Sequence, residues 1–221
     1  MSASGRTRIS AHTRNLRVWA AILLMAPAFG WAAGTLSGTT INNSADVSYV
    51  VGAGPVTTAT SNTLSLTVDD KVQVLVAGGI QKPVSPGQTS ALTPFSVTNL
   101  GNATQGYALV AANAAAGAYT VNAAAITDNF DPATALRICL DDGAGVAANA
   151  GDGNLSAAEL SACPAAPGVT SIATLAPDTT AYLVVMTDVP AAGAGSNIGD
   201  AAVVSLEAST LWPTPNAALL G

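Results

Sequence analysis

The stretch Gly151–Leu160, "GDGNLSAAEL", holds the residues of this chain best spaced to do chemistry. Laid on the twelve-residue calcium loop of the EF-hand, Asp152, Gly153, Leu155 and Glu159 fall at positions five, six, eight and twelve. Calcium takes six to eight oxygen ligands, and that loop supplies them from carboxylates and a carbonyl around a turn that glycine permits. Positions one and three fall on Ala148 and Ala150, whose side chains carry no oxygen. A site here must borrow ligands, and Asp141 and Asp142 at the end of "LRICL" are the donors at hand. The candidate calcium set is therefore Asp141, Asp142, Asp152, Asn154 and Glu159. A second register starts at Asp152 with Asn154 and Ser156 at three and five, but it lacks glycine at six and puts Cys163 at twelve. The same letters also spell a helix start, with Ser156 as N-cap and Glu159 three residues on as its capping-box partner. On that reading the loop is a solvated turn, and the alternatives stand open.

The N-terminus reads as an address. Arg6, Arg8, Arg14 and Arg17 precede the apolar run "VWAAILLMAPAFG" and the small residues "GWAAG", the order of a secretory signal peptide over residues 1–32. The apolar run is too short for a comfortable membrane span, and no second run of about 18 apolar residues follows. Export makes the two cysteines, Cys139 and Cys163, a disulfide expectation, since an even count outside the cytosol reads that way. The bridge would close about 25 residues around the acidic loop, worth roughly 3–4 kcal/mol.

Loss of the leader changes the charge. It carries four of the seven basic residues and none of the thirteen acidic ones, so three remain against thirteen, a net charge of −10. Such a chain lacks the basic footprint that nucleic acid or an anionic membrane requires. His12, the single histidine, leaves as well, and with it any Ser-His triad or histidine base. Asp69/Asp70 and Asp128/Asp131 are carboxylate pairs, but neighbours on a strand point to opposite faces, and "TDNFDP" has turn composition. No catalytic constellation emerges.

The elements that must hold these residues are strands. In "INNSADVSYVV", Ile41, Ala45, Val47, Tyr49 and Val51 share one parity. Leu64, Leu66 and Val68 continue the pattern, as do Val72, Val74 and Val76, Phe95 and Val97, Tyr107 and Leu109, Leu136, Ile138 and Leu140, and Tyr182 and Val184. Period two broken by Gly/Pro turns predicts an all-β, antiparallel sandwich. The expected exception is a short helical turn near 156–162. Residues 33–70, rich in Thr, Ser and Asn, read as an N-terminal strand or hairpin extension. Residues 71–210 read as the sandwich domain and 211–221 as a tail.

Longer stretches carry a resemblance. "AGTLSGTTINNSADVSYVVGAGPVTTATSNTLSLTVDDKV", "VSPGQTSALTPFSVTNLGNATQGYALVA" and "LAPDTTAYLVVMTDVPAAG" are similar to exported bacterial proteins that carry the DUF11-type repeat. The resemblance covers nearly all of residues 33–210. It implies an Ig-like β-sandwich in secreted or surface architecture, and it implies no enzymatic activity. In the Asp/Gly loop this chain departs from that pattern, with alanines at some of the acidic positions.

The expectation is thus a non-enzymatic secreted or cell-surface structural or adhesive protein, the periplasm being a further possible location. Its partner would be another copy, through strand addition by residues 41–51, or other surface proteins; the competing reading is that this strand completes its own sheet. The alternative is a calcium-stabilised module that binds polysaccharide, which would need exposed aromatics.

Overall fold

Alternation along the chain becomes thirteen strands and one short helix in the computed structural model, which describes residues 34–78, 82–121, 123–145 and 147–211. The leader expected over 1–32, with its cleavage site, and the tail beyond Leu211 lie outside the described residues.

The first four strands form one long hairpin. β1 (Thr40–Asn43) pairs with β4 (Leu64–Thr67), and β2 (Asp46–Val50) pairs with β3 (Val56–Thr60), all antiparallel. The arms are unequal between the two pairings, with two residues on one side and three on the other. Ser61 closes that bulge: its N–H donates to the Ala45 carbonyl at 2.8 Å, and its Oγ accepts the Ala45 N–H at 2.9 Å. Every residue of the four strands is exposed.

The remaining strands build the expected antiparallel sandwich. One sheet runs in the order β10 (Arg137–Leu140), β12 (Thr180–Thr187), β6 (Ala91–Asn99), β5 (Val74–Ala77). The other runs β11 (Ser171–Leu175), β7 (Gln105–Asn113), β13 (Val204–Leu211). A separate hairpin, β8 (Gly117–Val121) with β9 (Ala124–Asp128), takes up part of the alanine-rich region, with Tyr119 paired to Ile126 across it. Val97, Ile138, Leu183 and Val185 from the first sheet meet Tyr107, Leu109, Leu175 and Leu206 from the second as a single buried cluster. Full burial of a side chain such as Leu183 stabilises by about 2 kcal/mol.

β12 departs from simple alternation. Leu183 and Val185 fill the sandwich core, while Val184 and Met186, of the opposite parity, are buried too. The segment from Asp141 to Gly168 supplies the second cover. It lies over the outer face of the four-stranded sheet and seals a small second core of Cys139, Cys163, Val184 and Met186, with Leu92 and Leu155 packed against it. The Cys139–Cys163 disulfide forms as expected from the cysteine count. Next to it, Ile138 donates its N–H to the Pro167 carbonyl at 2.9 Å and accepts the Val169 N–H at 2.8 Å, which occupies the outer edge of β10.

The turn "NLGN" between β6 and β7 joins hairpin to sandwich. Asn99, fully buried, donates Nδ2–H to the Ala103 and Leu175 carbonyls at 2.8 Å each and accepts the Gly101 N–H at 2.9 Å. A Cβ at Gly101 would stand 2.3 Å from the Lys71 carbonyl oxygen, so only glycine allows this approach. Asn102 then grips both arms of the hairpin at its base. It donates to the Thr35 carbonyl at 3.1 Å and the Asp69 carbonyl at 3.0 Å, and its Oδ1 accepts the Lys71 N–H at 2.7 Å.

Candidate functional site

Two features expose groups with work to do: the acidic loop and the hairpin. In the loop, Asp141 is buried at the end of β10, and its two oxygens accept the Gly151 N–H at 3.0 Å and the Gly153 N–H at 2.8 Å. Glu159 is buried in α1 (Ala157–Ala162), where Oε2 accepts the Ser156 N–H at 2.7 Å and Oε1 accepts the Gly143 N–H at 2.8 Å. Ser156 Oγ accepts the Glu159 N–H at 3.2 Å, which completes the capping box read from the sequence. The Ser156 N–H and the other donors hold Glu159 below its ordinary value, against desolvation. Burial pushes Asp141 up in spite of its two N–H donors, and the charges of Asp152 and Glu159 add to the rise.

The three remaining candidates face solvent. Asp142 Oδ1 accepts the Ala144 N–H at 3.0 Å, and Asp152 Oδ1 accepts the Asn154 N–H at 2.7 Å, each bracing a tight turn two residues on. The structure thus brings Asp141, Asp152 and Glu159 within electrostatic range of one another while Asp142 and Asn154 hold the loop's rim. A cation of the chain's own already touches that rim: Lys82 Nζ donates to the Gly153 carbonyl and lies 3.5 Å from Asn154 Oδ1.

The glycines of "GDG" have a packing reason as well as a turn reason. Gly151 and Gly153 both sit at positive φ, 75° and 73°. A Cβ at Gly151 would stand 2.8 Å from the Tyr182 ring, and one at Gly153 would stand 3.1 Å from Pro94 Cβ. The loop can therefore lie flat on β6 and β12, with both N–H groups turned toward Asp141.

The hairpin is the second feature. Its cross-strand pairs sort its side chains into two faces. Ser48 meets Thr58 Oγ1 at 3.1 Å and Ser65 donates to Asn42 Oδ1 at 2.7 Å, which marks the polar face. On the opposite face Ile41 pairs with Leu66, Asn43 with Leu64, Val47 with Ala59 and Tyr49 with Thr57. That face is apolar and uncovered: Ile41 is 49% exposed, Val47 61%, Tyr49 46%, Leu64 58% and Leu66 59%. The odd-numbered parity read in residues 41–51 is thus a real face. The Asn102 clamp at the hairpin's base escaped sequence reading.

A cleft of about 450 Å³ opens between the β8–β9 hairpin and the start of β6, lined by Leu92, Val121, Ile126, Phe130 and Val203 among others. The carboxylates at its rim are engaged, Asp188 with the Ser90 N–H at 2.8 Å and Asp200 with Asn129 and Asn197. Asp128 is not a turn residue but the last residue of β9, buried, with Oδ2 accepting the Val203 N–H at 2.7 Å.

No family model, no curated protein and no solved structure matches this chain.

Proposed function

We propose that this is a non-enzymatic structural or adhesive protein of the cell exterior that assembles through its N-terminal hairpin, with residues 41–51 as the contact strand. The observation that carries the reading is the uncovered apolar face of that hairpin. A two-stranded ribbon is marginal in water by itself, and a contiguous exposed apolar face on a folded protein marks an interaction site. The basic leader with its apolar run supports export, as does a disulfide, which persists in oxidising compartments.

Sedimentation velocity of the chain from Ala33 onward tests it. The expected result is mass that rises with concentration over about 1–100 µM, the span of weak to moderate self-association. A monomer at every concentration ends the reading.

A second reading is a calcium-stabilised module that binds surface polysaccharide. In its favour, Asp152 and Glu159 both raise Asp141 through their charge, a repulsion that a bound cation would relieve. Thermal unfolding with calcium and then with chelator tests it. Ligand at 100 times its Kd, bound to the folded state alone, adds about 2.7 kcal/mol. An unchanged midpoint leaves the loop held by its own N–H groups and Lys82.

A further inference from the structure

We infer that the partner covering the hairpin's apolar face is the same face of a second copy, so that the protein is a two-fold dimer joined ribbon to ribbon. This rests on the assembly reading above and names its partner and its symmetry. The face resembles half a small sandwich: Ile41, Val47, Tyr49, Leu64 and Leu66 lie on one side with Asn43, Thr57 and Ala59, while the other side is mostly Thr, Ser and Asn, with Asp46 and the Val50–Val56 pair among them. Two antiparallel ribbons pack well when apolar side chains from both inner faces interdigitate.

On the sandwich, part of the surface is already in use, although β11 and β13 are edge strands of their sheet. β10 has its outer edge bonded to Pro167 and Val169, and the 141–168 segment covers Val184 and Met186 on the outer face of the four-stranded sheet. Nor does the hairpin fold back on its own sandwich, since Asn102 holds both arms at the base and the strands stay exposed along their length.

Charge selects the same partner. Residues 34–68 carry one charged side chain, Asp46, whereas residues 69–211 carry twelve acidic and three basic ones. A basic partner would find almost nothing on the ribbon to pair with. A second ribbon meets it without repulsion, and the hairpins hold the two acidic sandwiches apart. The five apolar side chains and their small neighbours present about 500 Å² per copy, so two faces reach about 1,000 Å², the size at which a specific interface begins. The pairing is isologous and closes at two.

The test is the mass of the chain from Ala33 onward by light scattering after gel filtration, with three lysine variants. Val47→Lys and Leu66→Lys put a charge on the apolar face, and Thr58→Lys puts the same charge on the polar face. None of the three positions touches the sandwich core, and circular dichroism checks that each variant folds. The expected result is a monomer–dimer equilibrium whose Kd rises about tenfold or more in the first two variants and less than about threefold in the third. An open series of larger species overturns the dimer while leaving assembly intact. So does a dimer indifferent to Val47→Lys and Leu66→Lys, or one weakened equally by Thr58→Lys, or retention on polysaccharide by a chain that stays monomeric. A monomer that retains nothing overturns both the dimer and the assembly reading.

Discussion

Asp141 and Glu159 are two buried carboxylates 18 positions apart that do the same job, collecting backbone N–H groups, yet their charges act on the fold in opposite senses. Glu159 is held below its ordinary value, so its contribution is fully present above about pH 4.5 and is lost as pH falls through the folded value. Asp141 is raised, so its contribution is fully present below its ordinary value and is lost as pH rises through the folded one. Conservative amides separate the two. Glu159→Gln keeps one acceptor oxygen and costs about 1–3 kcal/mol at pH 7; urea unfolding from pH 7 to pH 3 is expected to show its deficit against the wild type shrinking. The deficit of Asp141→Asn is expected to grow over the same range. Parallel trends would mean that the Gly151 and Gly153 N–H donors outweigh burial at Asp141. The Cys139–Cys163 pair and the Ser156/Glu159 box were legible beforehand because each depends only on spacing and compartment. The N–H partners of Asp141 were not, because a loop must first fold back ten residues before Gly151 reaches it.

At the scale of elements, the segment between β10 and β11 is a lid on a sheet. Its fit depends on two glycines, and Gly151 carries both a backbone and a contact requirement: φ of 75° and a Tyr182 ring 2.8 Å from where a Cβ would stand. Gly193 offers the matched comparison, with φ of 75° and nothing within 4 Å of its Cβ position. Gly193→Ala is expected to cost about 1 kcal/mol for the left-handed backbone alone, and Gly151→Ala about 2–3 kcal/mol because the ring must also move. Equal costs in urea unfolding would mean that Tyr182 yields freely and that the loop does not lean on it. This lid is also why β12 misled the reading of alternation. Tyr182 and Val184 have the right parity for one buried face, but period two carries no information once both faces of a strand are covered. Elsewhere alternation served well: Phe95 and Val97, Tyr107 and Leu109, and Ile138 all face the sandwich core where their parity put them.

Over the whole molecule, apolar surface and charge are segregated. The chain from Ala33 onward holds thirteen acidic residues against Lys71, Lys82 and Arg137, and all but one of those acids lie outside the hairpin. The net excess of acid was plain in the composition. A second copy was expected as a partner by strand addition; a contact face to face was not legible, because it required knowing that the hairpin's apolar side is bare. The segregation gives association a definite salt dependence. Between two sandwiches of like charge the long-range force is repulsive, with a reach of about 30 Å at 0.01 M salt and about 8 Å at 0.15 M. The ribbon contact itself is apolar and gains nothing from dilute buffer. Raising sodium chloride from about 0.02 M to 0.5 M is therefore expected to tighten self-association about tenfold, the reverse of a contact built on opposite charges. Sodium sulfate is expected to act more strongly at equal ionic strength, since excluded salts also favour apolar burial. Sedimentation equilibrium across that series reads both effects. Association that weakens with salt would place the contact at Lys71, Lys82 or Arg137 instead of at the ribbon.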